Sequence, residues 1–510
     1  MGQSLDPYDV YAYRGLTIPY SAPAHLALCS RWSGGPAPCS DRFSFVELGC
    51  GDGGNLLPLA FYHPKCTFVG IDSSRSAVCR AQEDAGLIGL ENVRFLCCDI
   101  RDPSSAECGR FDYVVAHGLY SWVTDDVRAA ILTFCRDALR RDGLAYISYN
   151  AEPGWSTRRI VRDTLRRSQG VREAEFADKA ARAIELATRL LKDLPSRFAS
   201  SILLADELRR VQNGSPSYVF HEYLTDTNDG FWLRDFVEHA RDRGLAYVVD
   251  SQFCRWEGYV ASELRTAAAD RSVNPVDEEE TVDLMGHRYF HASILARADA
   301  PKSQVTHHEI IEQAHIASSL RPQSETLDLD EGVVEQFVGV GGGEITLDSS
   351  IVKAAIVLLG AGWPRGARLD QLYQRSVAFL AEHNRAVPLD ARSQLLDAIE
   401  ILFEAGQLDV RLREPEYCSD VNEYPTAHAL ARREANDRDA LTTPHHLTVG
   451  FDGNTMSFVR AMDGSQSRSE LQHMFGADFV DHTLGILARC GLLTDPRNVQ
   501  LRDGERDRSI

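Results

Sequence analysis

The stretch FVELGCGDGGN, residues 45–55, joins an apolar run to a glycine-rich turn, and the helix-like LLPLAFYH follows it directly. This order predicts a strand, a turn and a helix. Glycines let backbone N–H groups and the helix N-terminus approach a polar or anionic ligand, because no side chain stands in the way. Gly49, Gly51 and Gly54 also satisfy GxGxxG, so the turn by itself fits either a dinucleotide or S-adenosylmethionine.

Three carboxylates near this turn narrow the choice of cofactor. Asp72 closes the run CTFVGID, about 20 residues beyond the glycines, where a carboxylate can accept hydrogen bonds from ribose hydroxyls. Asp99, followed by Ile100, closes VRFLCCDI, and an acidic residue there suits an adenine amino group. Glu47 precedes the first glycine and is expected near the methionine amino end in methyltransferases. Together the three favour S-adenosylmethionine over a nicotinamide cofactor.

Strand-like runs alternate with helical stretches between Phe45 and Asn150. They are FSFVEL, CTFVGID, VRFLCCDI, FDYVVAHG and LAYISYN. Such apolar runs predict a parallel sheet with helices on both faces and right-handed crossovers. LAYVVDSQF and YFHASILAR, further along the chain, would complete a seven-stranded, doubly wound α/β sheet.

The core is predicted to be discontinuous, with added helical and α+β units. Arg158 to Gln212 is almost continuously helical in character and predicts an inserted cap. Three helical segments and the run LDVRL suit a winged-helix-like module, and a related order recurs after HHLTVGFD. We therefore divide the chain into 1–165 (N-terminal lid and cofactor-binding core), 166–243 (helical cap), 244–299 (last core strands), 300–415 (winged-helix-like middle domain) and 416–510 (C-terminal winged-helix-like domain).

Charge and composition limit the partners that we expect. The net charge is -20, and neither winged-helix-like segment has a helix rich in Lys and Arg, so we expect contact with protein rather than nucleic acid. A homodimer is compatible with this composition. The twelve cysteines form no CxxC pair and no Cys/His set at zinc spacing, which predicts free thiols and no metal site.

No export or lipid signal is visible at the N-terminus, so we expect a cytoplasmic protein without a membrane anchor. The most apolar stretch, Ile351 to Trp363, is short and carries Lys353. It predicts a buried amphipathic helix rather than a membrane span.

Several segments together resemble a known family: FVELGCGDGGNLLPLA, FVGID, FDYVVAHGLYSWV, VRAAIL, LAYISYNAEPGW and HEYL. They are similar to bacterial class I S-adenosylmethionine-dependent methyltransferases that carry a methyltransferase regulatory domain. That group includes lysine methyltransferases acting on rickettsial outer-membrane protein, and related enzymes methylate the C-terminal carboxylate of peptides. The resemblance runs from about Tyr8 to Arg297 and more thinly beyond. It implies a Rossmann-like sheet, S-adenosylmethionine as cofactor and S-adenosylhomocysteine as product.

Candidate site residues follow from the strand ends and the resemblance. The cofactor candidates are Glu47, Gly49, Cys50, Gly51, Asn55, Asp72, Ser73, Asp99, Ile100 and His117. The catalytic candidates are His117 and Asn150 at strand ends, Tyr120 beside the first, and Tyr20 as part of a lid. The acceptor-binding candidates are Ser121, Trp122, Trp155, His221, Glu222 and Tyr223. A purely structural role stays open for His117, Tyr20, Trp122 and the His221–Tyr223 segment.

The predicted function is methyl transfer to a protein or peptide, with a lysine ε-amine as the first choice of acceptor. The C-terminal carboxylate of a ribosomal precursor peptide is the main alternative. A non-catalytic cofactor-binding protein that recruits a partner and a nicotinamide-dependent oxidoreductase are the alternatives from other classes. The intact set of Glu47, the glycines, Asp72 and Asp99 argues against both.

Overall fold

The computed structural model describes residues 15–39, 41–102, 108–168, 176–194, 200–253, 272–340, 342–418 and 420–494. Its central sheet contains β1 (Ser44–Leu48), β2 (Thr67–Asp72), β3 (Val93–Cys97), β4 (Phe111–Ala116), β5 (Leu139–Ala151), β6 (Gly230–Phe231), β7 (Leu245–Asp250) and β8 (Phe290–Arg297). The strand order is β3-β2-β1-β4-β5-β8-β7, and the two-residue β6 pairs with the end of β5.

The first five strands run parallel, and β8 runs antiparallel between β5 and β7. All seven strands predicted from the sequence are present, so the Rossmann-like, doubly wound sheet is confirmed. Successive side chains point to opposite faces of a sheet. Phe45 and Tyr146 accordingly pack in the core on one face, and Val46 and Ile147 pack on the other.

Helices connect the strands and cover the sheet. Their bounds are Pro23–Trp32, Leu56–Tyr62, Arg75–Ile88, Asp125–Ala138, Leu233–Arg241 and Pro275–Gly286. The helix Arg75–Ile88 begins where the Ser74 hydroxyl accepts a hydrogen bond from Ala77 N–H, and it ends at Gly89, whose φ is 81°. Because parallel strands are joined by such crossovers, the carboxyl ends of β1 to β5 meet at one edge of the sheet, where α/β proteins bind ligands.

The inserted cap has a hydrophobic core of its own. It consists of the helices Gly154–Ser168, Phe176–Asp193, Ser200–Asn213 and Pro216–Val219, with a π-helical turn at Phe220–Leu224. The first of these helices is continuous across residue 165, so the predicted boundary between residues 165 and 166 is wrong. The change of unit lies at the end of β5, where the chain leaves the sheet.

The middle unit is built around the helices His307–Gln313, Ser350–Gly362, Leu369–Glu382 and Ala391–Glu404. Small antiparallel sheets accompany them, with strands His315–Ala317, Ala367–Arg368 and Asp409–Arg411 in one, and Arg321–Pro322, Glu335–Val338 and Glu344–Leu347 in another. The apolar stretch predicted to be a buried helix lies in Ser350–Gly362. Lys353 is fully buried there and donates to the carbonyls of Asp328, Asp330 and Val333 at 2.8–2.9 Å. This satisfies the charge without solvent.

The C-terminal unit has a separate core formed by the helices Ala429–Glu434, Gly453–Ala461, Arg468–Phe475 and Ala477–Arg489 and the paired strands Ala440–Thr442 and Thr448–Gly450. Its Arg433 pairs with Asp84 of the sheet domain at 2.7 and 3.0 Å. The winged-helix arrangement of this unit and of the middle unit stays a prediction. None of the helices in the described ranges combines the length and the apolar character that a membrane crossing requires.

A buried ionic cluster fixes the edge of the sheet between β7 and β8. His291 Nδ1 lies 2.9 Å from Asp250 and its Nε2 lies 2.8 Å from Asp283, and all three side chains are at most 1% exposed. Arg288 pairs with Asp250 at 2.7 Å. Burial and Arg288 lower the pKa of His291, but the two carboxylates outweigh them and the net pKa is raised. In its protonated form the ring donates Nδ1–H to Asp250 and Nε2–H to Asp283, one bond to each carboxylate.

We predict that His291→Leu lowers the free energy of unfolding by about 3 to 5 kcal/mol, because two buried carboxylates lose a partner. A group whose pKa is higher in the folded protein stabilises the fold most below its unfolded value, here 6.5. The stabilisation is lost as the pH rises through the folded value. The loss of melting temperature in His291→Leu should therefore be largest below pH 6.5 and smaller in alkaline buffer.

His308→Leu is the matched control for this experiment. His308 is 46% exposed and pairs with Asp397 and Glu400 at the surface, where an ion pair contributes about 1 kcal/mol or less. An equal loss of melting temperature in both variants would contradict the role of the buried cluster.

Candidate functional site

The glycine turn after β1 has the backbone conformation that only glycine adopts readily. Gly49 has φ 70° and Gly51 has φ 54°, both in the left-handed region. Gly54 serves a different purpose, because a Cβ there would lie 2.3 Å from the backbone of Gly15. The N-terminal segment therefore lies directly on the turn, and this contact could not be inferred from the GxGxxG spacing.

Asp72, at the end of β2, holds the glycine turn in place. One carboxylate oxygen accepts a hydrogen bond from Gly51 N–H at 2.8 Å, and the other accepts one from Ser74 N–H at 2.8 Å. Each oxygen has a further lone pair, so the half-buried carboxylate can still accept a bond from a ribose hydroxyl. Ser73 is exposed beside it. The structure thus places Asp72 and the turn together, as the sequence predicted.

Asn55 is buried and its amide serves the protein rather than a ligand. Its Nδ2 donates to Glu47 and to Ser21 at 3.0 Å each, and its Oδ1 accepts from Ile18 N–H at 2.9 Å. The amide is thus fully engaged by the protein, and a contact between Asn55 and the cofactor stays a prediction. It is a positioning residue that connects the N-terminal segment to the end of β1.

Glu47 is almost fully buried at the end of β1. Its Oε1 accepts the bond from Asn55, and its Oε2 has no hydrogen-bond partner among the described residues. Burial raises the pKa of this carboxyl to about 8, against the lowering effect of the Asn55 bond, and Asp72 and Asp52 raise it further. A buried carboxylate without a partner is costly, so the site fits a ligand that brings a cationic amino group.

The end of β3, where Asp99 follows the strand, is more exposed than Glu47 at the end of β1. Asp99 is held by Arg101, whose guanidinium lies 2.6 Å from one carboxylate oxygen, and this bond lowers the pKa of Asp99. An adenine amino group would have to share Asp99 with Arg101. Ile100 is partly buried and packs against the core on one face of the sheet. The two residues are placed as predicted, but the carboxylate has a protein partner that the sequence did not reveal.

Cys50 contributes only its backbone to the turn. Its side chain lies in the core, close enough to Gly70 that a Cβ on that glycine would lie 2.7 Å from the sulfur. Burial raises the pKa of its thiol well above the usual value. The thiol is therefore inert, and the backbone remains as the part of Cys50 that a cofactor can meet.

His117 follows β4 and lies at the opening of the sheet edge. Its Nδ1 is 3.0 Å from the Tyr146 hydroxyl and 3.2 Å from Ser148 Oγ, which accepts a bond from Gly118 N–H. Burial lowers the pKa of His117 to about 4, so the ring is neutral at pH 7. Its Nε2 has no partner in the part of the chain that the structure describes. The arrangement orients one imidazole nitrogen and leaves the other for a ligand.

Tyr146 and Ser148 were missed as site residues. They lie on β5 two residues apart, so both point to the same face of the sheet. The run LAYISYN already carried this signal, since Tyr146, Ser148 and Asn150 alternate in it. Burial raises the pKa of Tyr146 well above its usual value, and the proximity of Asp250, Tyr20 and Glu47 raises it further against the lowering bond with Ser148. The predicted lid residue, the buried carboxyl and the histidine are thus gathered around one tyrosine.

Tyr20 lies on a short 3-10 turn, Pro19–Ser21, directly before the first helix. It is partly buried, and its ring meets His25 edge to face at 5.9 Å. This placement agrees with a segment that covers the sheet edge.

The residues after His117 turn away from this opening. Tyr120 is 1% exposed, its hydroxyl bonds to His239 Nδ1, and its ring packs against Tyr149 and Phe236 in the core. The expectation of a catalytic Tyr120 is therefore wrong. The cause is the 3-10 turn Tyr120–Trp122, which rotates the ring to the opposite face of the sheet.

Ser121, Asn150 and Trp155 are also structural rather than acceptor-facing. Ser121 Oγ accepts a bond from Asn150 N–H at 2.8 Å, and the Asn150 amide donates to Asn228 at 2.6 Å. Trp155 is fully buried, and Arg158 lies 5.4 Å from its ring centroid. The predicted roles of these three in catalysis or acceptor binding are corrected. Trp122 is partly exposed beside them, and its role stays a prediction.

The His221–Tyr223 segment forms part of the cap and not of the opening. Glu222 pairs with Arg158 at 3.3 Å, and the Tyr223 hydroxyl donates to Glu207, which also pairs with Arg158. Burial raises the pKa of Glu222. His221 is 2% exposed on the same π-helical turn. This buried network joins three segments of the cap to one another, so these residues have structural partners and their predicted acceptor role has no support from the contacts.

A cleft of about 1960 Å³ opens between the sheet domain and the middle and C-terminal units. Tyr20, His63, Arg411 and His446 are among its lining residues, whereas Glu47, Asp72 and Asp99 are not. Small-molecule pockets usually have volumes of about 300 to 1,000 Å³, so this cleft is larger than most of them. The three carboxylates assigned to the cofactor thus lie outside the lining of this cleft, which adjoins the sheet edge through Tyr20.

One group of side chains of the metal-ligand type occurs in the described ranges, formed by His307, Glu400 and Glu404. His307 Nδ1 lies 2.7 Å from Glu400, and its Nε2 lies 2.9 Å from the carbonyl of Trp32. Both ring nitrogens are engaged by the protein. We interpret the group as a contact between the first helix and the middle unit.

Comparison with known proteins gives two domain matches. Residues 45–143 match the family described as a methyltransferase domain, and residues 215–297 match a predicted methyltransferase regulatory domain. Protein RP789 of Rickettsia prowazekii is 29% identical over 331 residues, which are 64% of this chain and 59% of RP789. The match therefore spans less than two thirds of that relative.

Two solved structures share the fold over nearly the whole chain. PKMT2 from Rickettsia typhi in complex with AdoHcy has a TM-score of 0.81 and 23% identity, and covers 94% of this chain and 99% of its own. A second structure of PKMT2 from Rickettsia typhi has a TM-score of 0.82 and 22% identity. It covers 95% of this chain and 100% of its own. At 22% and 23% sequence identity, the similarity between this chain and PKMT2 shows a shared fold and nothing further.

We predict that S-adenosylhomocysteine binding at pH 7 releases about one proton, because the ligand's ammonium group favours the ionised form of Glu47, whose pKa in the free protein is about 8. Titration calorimetry in two buffers of different ionisation enthalpy measures this number. Glu47→Gln should bind more weakly and release almost none. The same proton release from both proteins would rule out Glu47 as the source.

Proposed function

We propose that the protein uses S-adenosylmethionine to transfer a methyl group to a lysine ε-amine of a protein acceptor, and the match of residues 45–143 to a methyltransferase domain supports the methyl-transfer chemistry. The observation that carries this proposal is the neutral His117, oriented by Tyr146 at the edge that also carries Glu47 and Asp72. The sequence resemblance to rickettsial lysine methyltransferases and the shared fold with PKMT2 support the choice of acceptor.

The residues at the sheet edge fit the proposed cofactor from one end to the other. The orphaned Oε2 of Glu47 would accept a bond from the methionine amino group, Asp72 one from a ribose hydroxyl, and Asp99 one from the adenine amino group. When bound, S-adenosylmethionine supplies an electrophilic methyl group on a sulfonium. The remaining tasks fall to the protein: it must align the acceptor with that methyl group and exclude water.

The acceptor amine has to be neutral to act as a nucleophile. A partly buried opening disfavours the charged ammonium, so the amine gives its proton to solvent as it enters, and the neutral His117 ring can accept a hydrogen bond from an amine N–H. This requires the tautomer in which Nδ1–H donates to the Tyr146 hydroxyl and Nε2 keeps its lone pair. The lysine nitrogen then forms the new N–C bond as the S–C bond breaks, and the electron pair stays on sulfur in S-adenosylhomocysteine.

A carboxylate acceptor would use His117 differently. A peptide C-terminus is already ionised at neutral pH and needs no base, so His117 could only orient it. The two acceptors therefore differ in whether an N–H can donate to the neutral His117 ring, and they differ in the modified atom.

We test the acceptor with peptides that separate the two groups. Each peptide is made in four forms, with lysine or arginine at the candidate position and with a free or an amidated C-terminus. Each form is incubated with the protein and labelled S-adenosylmethionine. Mass spectrometry should locate the methyl group on lysine in both lysine forms, whatever the C-terminus. Methylation that survives Lys→Arg and is lost on amidation would instead identify the carboxylate. Binding of S-adenosylhomocysteine without any methylation would favour a non-catalytic protein.

We predict that His117→Asn slows turnover of a lysine acceptor about 100-fold, because the amine loses the hydrogen-bond acceptor that aligns it with the methyl group. The dissociation constant of S-adenosylhomocysteine should change little, because His117 lies on the acceptor side. Steady-state kinetics and calorimetry give the two values.

Tyr120→Phe is the control for His117→Asn. It removes a hydroxyl that bonds to His239 inside the core, so it should reduce the melting temperature and leave turnover close to that of the unaltered protein. If Tyr120→Phe slows turnover as strongly as His117→Asn does, the assignment of Tyr120 to the core is refuted.

A further inference from the structure

A turn of the C-terminal unit reaches the cofactor site. The strands Ala440–Thr442 and Thr448–Gly450 pair in antiparallel fashion, and the turn between them carries His445 and His446. His446 Nε2 lies 2.8 Å from Asn55 Oδ1, although 391 residues separate them in sequence. The His446 side chain is almost fully buried, and its backbone has φ 55°.

The partners of Asn55 determine which way its amide points. The backbone N–H of Ile18 can only donate, and it lies 2.9 Å from Oδ1, so the oxygen must face Ile18 and His446. His446 therefore donates its Nε2–H. The NH2 group is left to face Glu47, to which it donates at 3.0 Å. One buried amide thus couples the C-terminal turn to the carboxyl at the end of β1.

A second bond ties the same turn to the segment that covers the site. Thr442 Oγ1 lies 2.9 Å from Thr17 Oγ1. Thr442 itself is fixed by Glu434, which accepts from its backbone N–H at 2.7 Å and from its hydroxyl at 2.6 Å. The N-terminal segment is therefore bonded to the glycine turn on one side and to the C-terminal unit on the other.

We propose that the C-terminal unit completes the cofactor site, with His446 as a positioning residue that holds Asn55, and through it Glu47, in the orientation that binds the cofactor's amino group. His446 does not touch the cofactor in this account. Its effect is on affinity, because without His446 only Ile18 holds the Asn55 oxygen at 2.9 Å or closer, and the amide then positions Glu47 less firmly. The proposal rests on S-adenosylmethionine as the cofactor and is independent of the acceptor.

The test is the dissociation constant of S-adenosylhomocysteine, measured by calorimetry on full-length variants. His446→Asn is suited to it, since asparagine tolerates the left-handed backbone conformation but is too short to reach Asn55. We expect binding about fivefold to tenfold weaker, which is the effect of one lost buried hydrogen bond. His446→Gln extends an N–H about as far as the histidine ring does and should restore most of the affinity.

His445→Asn is the matched control, because it makes the same change one residue away. His445 is also buried, but it lies near Glu414 and Tyr417 and not near Asn55. Its variant should bind S-adenosylhomocysteine as the unaltered protein does, even if its melting temperature falls. If His446→Asn does not fold, His446→Ser, which is also too short, takes its place.

Three outcomes would overturn the proposal: unaltered affinity in His446→Asn, equal weakening in His445→Asn, or equal weakening in His446→Gln. The first would mean that the bond is not needed, and the other two that the loss reflects the turn as a whole. Failure of the unaltered protein to bind S-adenosylhomocysteine would instead contradict the proposed function, so the two failures are distinguishable.

Discussion

The side-chain amide of Asn55 is where three distant parts of the chain meet. Its oxygen accepts bonds from Ile18 and His446, and its nitrogen donates to Glu47 and Ser21. A buried amide with all these bonds made has one orientation, because a flip would place donor against donor. The glycine turn, the covering N-terminal segment and the C-terminal unit are therefore held in one arrangement around the cofactor edge of the sheet.

Burial at this edge acts on two groups of opposite kind. It raises the pKa of Glu47 to about 8 and lowers the pKa of His117 to about 4. Both groups are therefore largely neutral at pH 7 before a ligand arrives. A cationic amino group would restore the charge of Glu47, whereas His117 stays a neutral imidazole that can accept a hydrogen bond from an amine. One low-dielectric environment thus suits both recognition of the cofactor and activation of an amine.

Much of the fold could be predicted from the sequence because it depends on local patterns. The apolar runs identified all seven strands, and the spacing of Gly49, Gly51 and Asp72 placed the turn beside the carboxylate that holds it. What failed was the direction of side chains outside regular strands. A position at a strand end predicts the edge of the sheet but not the face, so Tyr120 was expected at the opening although a 3-10 turn buries it.

Contacts between units were beyond the sequence for a different reason. No local pattern relates His446 to Asn55 across 391 residues, nor Gly15 to Gly54. The resemblance likewise pointed to His221, Glu222 and Tyr223 without giving their position. The structure buries all three in the cap, where Glu222 and Tyr223 belong to a network with Arg158. Such contacts depend on how separate cores pack, which periodicity and motif spacing do not encode.

The roles proposed for Glu47, Asp72 and His117 depend on the identity of the ligand at the sheet edge. Titration of the unaltered protein with S-adenosylhomocysteine and with NAD, under the same conditions, tests this directly. Saturable binding of S-adenosylhomocysteine at one site per chain, with no binding of NAD, is the result that the account predicts. Binding of NAD without binding of S-adenosylhomocysteine would contradict it.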